Sequence, residues 1–423
     1  MPSSDSGTIH IIGAGLAGLA AAVRLSGGGR KIVLYEATDH AGGRCRTYYD
    51  DLTDMLIDNG THLVLSGNYA ARAFLRTIGT EGRLHGPRDA RYPFVDLATK
   101  KRWKLNFGSG FFPWWIFKKG DRVPETRTGD YLSLARLAWA PTDRALGETM
   151  SGAGMVYQRL ISPFFLAALN IEPLKGSTKL VAAVIRETIA KGGRAARPLI
   201  AQEGIGKVFI DPAVKYLRKR GISIVYKCEL VAMRLAKTHV AELKFSDRTV
   251  ALGVHDSVIL AVPAYAATRL LPELRTPSLF CPIVNVHFRA NAPKSFPPML
   301  GVINGLSQWI FSTTGKISVT ISDAERATKM PRDDLARKIW QEVAALAKLP
   351  AKLPPWQIVR ERRATFAATP EENAKRPGAE TRWTNLFLAG DWTATGLPAT
   401  LEGAIRSGNR AADLVSRNRR AAA

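Results

Sequence analysis

The order strand, glycine turn, helix at the start of this chain constrains its fold more than any other feature. Thr8 to Ile12 is a short apolar run, Gly13, Gly15 and Gly18 follow with the spacing G-x-G-x-x-G, and residues 16–25 are rich in alanine and leucine. A second apolar run, Lys31 to Tyr35, ends on Glu36, at the distance expected of a returning βαβ unit. Gly13 permits a tight turn, Gly15 has no Cβ to hold a pyrophosphate off the backbone, and Gly18 lets the helix pack close to the sheet. The helix start then offers unpaired N–H groups to phosphate oxygens. Glu36 can accept hydrogen bonds from two ribose hydroxyls and would repel a 2′-phosphate, so a non-phosphorylated adenine dinucleotide is expected.

The 423 residues suffice for two domains with a large core, and a composition of 46% hydrophobic and 23% charged residues is that of a folded chain. No uninterrupted apolar segment reaches the roughly 20 residues that cross a bilayer. The opening MPSSDSG has neither the basic region nor the apolar core of a secretory signal, so the expected compartment is the cytoplasm. Three widely spaced cysteines, Cys45, Cys228 and Cys281, read as reduced thiols, and seven histidines without H-x-x-x-H spacing give a metal site no support.

Lysine and arginine number 60 against 36 acids, a net charge of +24. That balance draws a protein toward polyanions. No nucleic-acid module accompanies it, which leaves an anionic membrane face or an arginine-rich solvated surface. The segment 100–119 bears on this choice: lysines alternate there with Trp103, Phe107, Phe111, Phe112, Trp114, Trp115 and Phe117. Rings flanked by cations suit the headgroup boundary, and they equally suit an aromatic core segment edged by solvated lysines.

Further along, Gly42-Gly43-Arg44 places a guanidinium beside the phosphate turn, where it could pair bidentately with phosphate oxygens. Asp58-Asn59-Gly60-Thr61-His62 reads as a turn entering a strand, and His62 is either structural or a proton carrier beside a cofactor. Residues 164–172, between Pro163 and Pro173, read as a short helix, and 208–218 as another. Near the end, an apolar strand closes on Gly390-Asp391, and a helix begins near Thr400 and Leu401. Asp391 can bond a ribityl or phosphate-side hydroxyl, and the helix start can face a flavin; nicotinamide cofactors have no ribityl chain, so FAD is expected.

With these residues in view, the chain resembles the flavin-containing amine oxidase and phytoene desaturase superfamily, and more narrowly the bacterial hydroxysqualene dehydroxylases. The resemblance runs from GAGLAGLAAA through AGGRCR, DNGTH, PFFLAALNIEPL, VNVHFR and RERRATFAATP to LAGDWTATGLPATLEGAIRSG. It implies an α/β fold: a Rossmann-like FAD-binding domain from 1–75, 203–284 and 364–423, with a discontinuous α+β substrate domain from 76–202 and 285–363. It implies FAD contacts at Gly13, Gly15, Gly18, Glu36, Gly43, Arg44, Leu230, Gly390, Asp391, Thr400 and Leu401. The implied reaction removes the hydroxyl of hydroxysqualene reductively, on a hydrophobic C30 isoprenoid drawn from a membrane surface. His62 is then the candidate proton donor, with Glu402 and Arg363 as further polar residues near the site. Two other readings stand beside it: an oxidative carotenoid or phytoene desaturase, and a basic membrane-associated adaptor with a vestigial nucleotide fold.

Overall fold

The computed structural model describes residues 7–139 and 141–422; the opening residues 1–6, on which the compartment expectation partly rests, lie outside the described residues. Five strands form a wholly parallel sheet in the order Ile224–Val225, Lys31–Tyr35, Thr8–Ile12, Ser257–Leu260, Leu386–Leu388. Ser257–Leu260 and Leu386–Leu388 are buried at every position, as strands covered on both faces must be. The helix Leu16–Leu25 and the C-terminal helix Leu401–Ala422 cover one face, where Leu19, Ala20, Ile405 and Ala411 share a core. An antiparallel three-stranded sheet, Leu230–Leu235, Val240–Phe245 and Thr249–Ala251, lies on the other face, with Phe245 stacked on Tyr35 at 4.3 Å.

A second, mixed sheet has seven strands in the order Trp356–Phe366, Phe280–Arg289, Lys316–Ile321, Trp309–Thr313, Met299–Ile303, Arg91–Asp96, Arg102–Asn106. The helix Arg332–Ala347 seals one face of it through Leu335, Ile339 and Trp340. Its opposite face meets the segment that follows the glycine turn. Domain limits at 284/285 and 363/364 would cut two of its strands, because Phe280–Arg289 and Trp356–Phe366 pair with each other across both limits. The strand Pro198–Ala201 also pairs with Leu63–Leu65, so the two units share a small third sheet.

Local boundaries move for identifiable reasons. The short helix covers Ser162–Leu169, with Pro163 in its first turn, where a missing N–H costs nothing, and Pro173 opens a separate turn. The 208–218 helix begins earlier, as a π-helical turn Gly206–Ile210, before Asp211–Arg218. In the 100–119 segment Trp103, Phe107 and Trp115 are buried in the aromatic core, whereas Phe111, Phe112, Trp114 and Phe117 are exposed. The core reading therefore holds for Trp103, Phe107 and Trp115 and not for the other four rings. Among the described residues no helix is long and apolar enough to cross a membrane.

The two covering helices approach through small residues. A Cβ on Gly408 would fall 2.1 Å from the Ala17 carbonyl oxygen, backbone that cannot swing aside. Gly408→Ala is expected to destabilise the protein by about 1–3 kcal/mol, the cost of forced overpacking. Chemical denaturation of the two proteins side by side checks this, and equal midpoints would contradict it.

Candidate functional site: a dinucleotide cradle at the carboxyl edge of the parallel sheet

The glycines of the opening turn divide into two kinds. Gly13 has φ +101° and a Cβ there would lie 2.5 Å from the Ala261 carbonyl oxygen; on Gly18 it would lie 2.0 Å from the Gly13 carbonyl oxygen. Those two are fixed by packing. Gly15 has no heavy atom within 4 Å of a built Cβ, and Gly43 meets only the Gly15 Cα, at 3.8 Å. Both face open space at the start of helix Leu16–Leu25, which has no side-chain cap and no acid in its first turn. Uncapped N–H groups beside a surface without side chains form a place where an anion's oxygens can approach the backbone.

Glu36 stands at the end of the second strand and closes one side of this cradle. Its Oε2 accepts the Ala14 N–H at 2.9 Å, and its Oε1 accepts the Thr38 N–H at 3.0 Å and the Thr38 hydroxyl at 2.9 Å. The Cys228 N–H bonds to the Glu36 carbonyl at 2.9 Å, which lays the start of strand Leu230–Leu235 alongside; the Leu230 side chain itself is buried.

The C-terminal motif arrives at the same edge. Gly390, φ +147°, donates its N–H to the Ser407 Oγ at 3.0 Å, and the Thr400 Oγ1 accepts the Gly403 N–H at 3.0 Å across the first turn of helix Leu401–Ala422. Asp391 takes the Arg44 Nη2 on both carboxylate oxygens, at 2.8 and 2.9 Å, and Arg44 Nη1 donates to the Ala364 carbonyl. Arg44 and Asp391, read separately along the chain as cofactor contacts, are thus also partners of each other, through one guanidinium nitrogen shared by both carboxylate oxygens. The parallel sheet sets an anionic strand end directly beside the cationic turn.

The three candidate catalytic residues separate. Glu402 is only 3% exposed, and its carboxylate accepts the Ala70 and Ala71 N–H groups at 3.0 and 2.9 Å and the Arg406 Nε at 2.8 Å. It caps the helix Tyr69–Ile78 from a buried position. Arg363 lies on the solvent side of strand Trp356–Phe366 with its guanidinium 4.5 Å over the Tyr265 ring. His62 is within the site, its Nδ1 2.7 Å from the Gly60 carbonyl oxygen. A carbonyl only accepts, so Nδ1 carries the hydrogen and Nε2 is the bare acceptor. Burial lowers the His62 pKa below the ordinary histidine value, with the nearby Arg44 charge acting in the same direction. A neutral ring with a bare Nε2 accepts a hydrogen bond, which counts against His62 as proton donor near neutral pH. Among the described residues no group of three or more histidine, cysteine, aspartate or glutamate side chains could hold a metal ion.

Comparison with known proteins agrees with this geometry. The family described as flavin containing amine oxidoreductase matches residues 16–416. The chain belongs to the flavin-containing amine oxidoreductases. It is 52% identical over 411 residues to a hydroxysqualene dehydroxylase of Rhodopseudomonas palustris, covering 97% of this chain and 98% of that one. It is 42% identical over 405 residues to a hydroxysqualene dehydroxylase of Zymomonas mobilis, covering 96% and 98%. Among solved structures, cyclohexylamine oxidase from Brevibacterium oxydans superposes with a TM-score of 0.73 at 15% identity, over 98% of this chain and 100% of that one, a likeness of fold.

For a flavin-containing oxidoreductase the cofactor is FAD, and the cradle suits it: open backbone at Gly15 and Gly43, an uncapped helix start, and an acid at Glu36. Sequence reasoning gave no role to Asn285, His287, Gln357 and Glu361, which bond to the turn that carries His62 and to the segment leading into it. The signal was present in part, since Asn285 and His287 alternate with valine and phenylalanine in an otherwise apolar strand.

Gly15→Ala is expected to leave folding nearly unchanged, because its Cβ points into empty space, and to abolish flavin retention, because the same space holds the pyrophosphate. Flavin absorbance after purification, read against the melting temperature of the flavin-free protein, checks both halves.

Proposed function

We propose that this chain removes the hydroxyl of hydroxysqualene reductively to give squalene. The observation that carries the reading is near full-length identity, 52% and 42%, to two proteins named hydroxysqualene dehydroxylase. In the balanced reaction the C–O bond breaks, the oxygen leaves as water after taking up a proton, and the carbon gains a hydrogen. Bound in its reduced form, FAD supplies the hydride.

The residues of this chain supply the rest. Gly15 and Gly43 would leave the backbone at the first helix open to the pyrophosphate, Gly13 and Gly18 set that turn and helix in place by packing, and Glu36 would hold the adenosine ribose. The backbone at Leu230 borders the adenine, and Gly390, Thr400 and Leu401 present backbone groups from the C-terminal motif. Arg44 and Asp391 hold the two motifs against each other. His62, neutral, accepts the substrate O–H on Nε2 and orients the C–O bond, while the proton that leaves with the oxygen comes from elsewhere. The units 1–75, 203–284 and 364–423, and 76–202 and 285–363, act respectively as cofactor and substrate domains, apart from the strand ends described above.

The substrate is a C30 isoprenoid alcohol, apolar enough to partition into membranes, and one surface is suited to reach it there. Phe112, Trp114 and Phe117 form an exposed cluster with ring centroids 4.5–6.5 Å apart, beside Lys118 and Lys119, on a chain of net charge +24. Rings at the headgroup level with cations meeting anionic lipid make this a peripheral docking face on the inner side of the cell membrane.

Incubation with hydroxysqualene and chemically reduced FAD, followed by mass spectrometry, is expected to yield a C30 hydrocarbon that has lost its oxygen; a desaturated product, or none, would overturn the reading. In the same assay His62→Ala is expected to lower kcat while retaining FAD. Separately, flotation should show stronger binding to anionic than to neutral liposomes, falling roughly tenfold when Trp114 and Phe117 are both changed to serine. Equal flotation on the two lipids would remove the docking face.

A further inference from the structure

The seven-stranded sheet has two unlike faces. Along the strand Phe280–Arg289, Val284, Val286 and Phe288 are fully buried in the core shared with helix Arg332–Ala347. Asn285 and His287 alternate with them and turn the opposite way, toward the segment 47–62. The neighbouring strands repeat the pattern: Thr320 and Ser318 stand opposite Asn285 and His287 on one side, and Gln357 stands opposite His287 on the other.

The side chains on this face reach main-chain groups of the turn that ends in His62. His287 Nε2–H donates to the Asp58 carbonyl at 2.9 Å while its Nδ1 meets the Ser318 Oγ at 2.8 Å. Asn285 Oδ1 accepts the Thr61 N–H at 3.3 Å and the Thr320 hydroxyl at 2.8 Å, and its Nδ2 donates to the Asn59 carbonyl at 3.4 Å. Gln357 donates to Asp50 at 2.7 Å, and Asn59 Nδ2 donates to Glu361 at 3.4 Å. Asn285 and His287 are 1% and 0% exposed, so each is a polar group taken wholly out of water. An apolar seam between two units is as stable or more so, yet it can slide; bonds aimed at successive backbone groups admit one register only.

We propose that Asn285 and His287 are positioning residues that hold the Asp58–Asn59–Gly60–Thr61 backbone, and with it the His62 ring, at one fixed height against the cofactor cradle. Their bonds go to the turn and to Ser318 and Thr320, and they act through the turn. The seam ties the substrate-side sheet to the cofactor side at the point where the two must meet, and a displacement of the turn by an ångström would cost rate rather than binding. The inference rests on the flavin reading above, and its first measurement needs no substrate.

The experiment compares holoenzymes of Asn285→Leu, His287→Phe and His287→Gln with the wild type and with Ile317→Ala, a truncation in the apolar core on the sheet's other face. Asn285→Leu and His287→Phe are expected to change the visible circular dichroism of bound flavin and to lower kcat by on the order of tenfold to a hundredfold. KM should stay within about threefold of the wild type. His287→Gln, which keeps an N–H for the Asp58 carbonyl, should recover most of both signals. Ile317→Ala should lower the melting temperature and leave the flavin signal unchanged. Where His287→Phe does not fold, Thr320→Val removes only the hydroxyl that steadies Asn285 and should shift the flavin signal in the same direction. An unchanged flavin signal in the seam variants, a kcat loss matched by Ile317→Ala, or no recovery in His287→Gln overturns the proposal. A flavin shift in a protein that makes no C30 hydrocarbon would instead sink the substrate reading and leave the seam standing.

Discussion

A salt bridge between residues 347 positions apart, Arg44 to Asp391, is the interaction on which the site depends. It can form because every strand of the central sheet runs the same way, so their carboxyl ends, and the turns that follow them, gather at one edge. The first strand delivers the glycine turn there, the second Glu36, and the last Gly390 and Asp391. The helix starts that follow the first and last strands converge on the same edge, the first without a side-chain cap and the last capped by Thr400. The pair neutralises a cation and an anion that would otherwise face each other across the cradle, and it fixes the C-terminal motif against the turn.

Close approach on the covered face makes that convergence possible. Gly18 sits against the Gly13 carbonyl and Gly408 against the Ala17 carbonyl, so the first and last helices pack on one another at backbone distance. Glu402, in the first turn of the last helix, then caps the helix Tyr69–Ile78 and pairs with Arg406, which also holds Glu187. What reads along the chain as a polar group near a catalytic centre is the joint that sets the last helix against its neighbours. A buried carboxylate bonded to two backbone donors and a guanidinium serves the packing of the helices it joins.

The second unit meets the first through polarity. One face of its sheet is closed by a helix over an apolar core, and the other is lined by asparagine and histidine bonded to main-chain groups of the 47–62 segment and by glutamine bonded to the Asp50 carboxylate. The fold thus separates two tasks by strand alternation: valine and phenylalanine for cohesion on one side, directed hydrogen bonds for register on the other. On the far edge, the strand Arg102–Asn106 leads into the exposed aromatic cluster at 111–117, away from the seam.

From residues alone the chain fixed the opening βαβ unit, the identity of the glycines and of Glu36, the presence of a second glycine motif at the other end, and its family. Those are local facts, set by backbone conformation and by spacing within some thirty residues. Tertiary structure decided the rest. It showed that Gly13 and Gly18 serve packing while Gly15 and Gly43 face the cradle, that Arg44 answers Asp391, that Glu402 is a cap, and that Asn285 and His287 address the His62 turn. Partners that lie hundreds of positions apart are chosen by which strand lies beside which, and hydrophobic patterning reports the face a residue occupies without naming what that face meets.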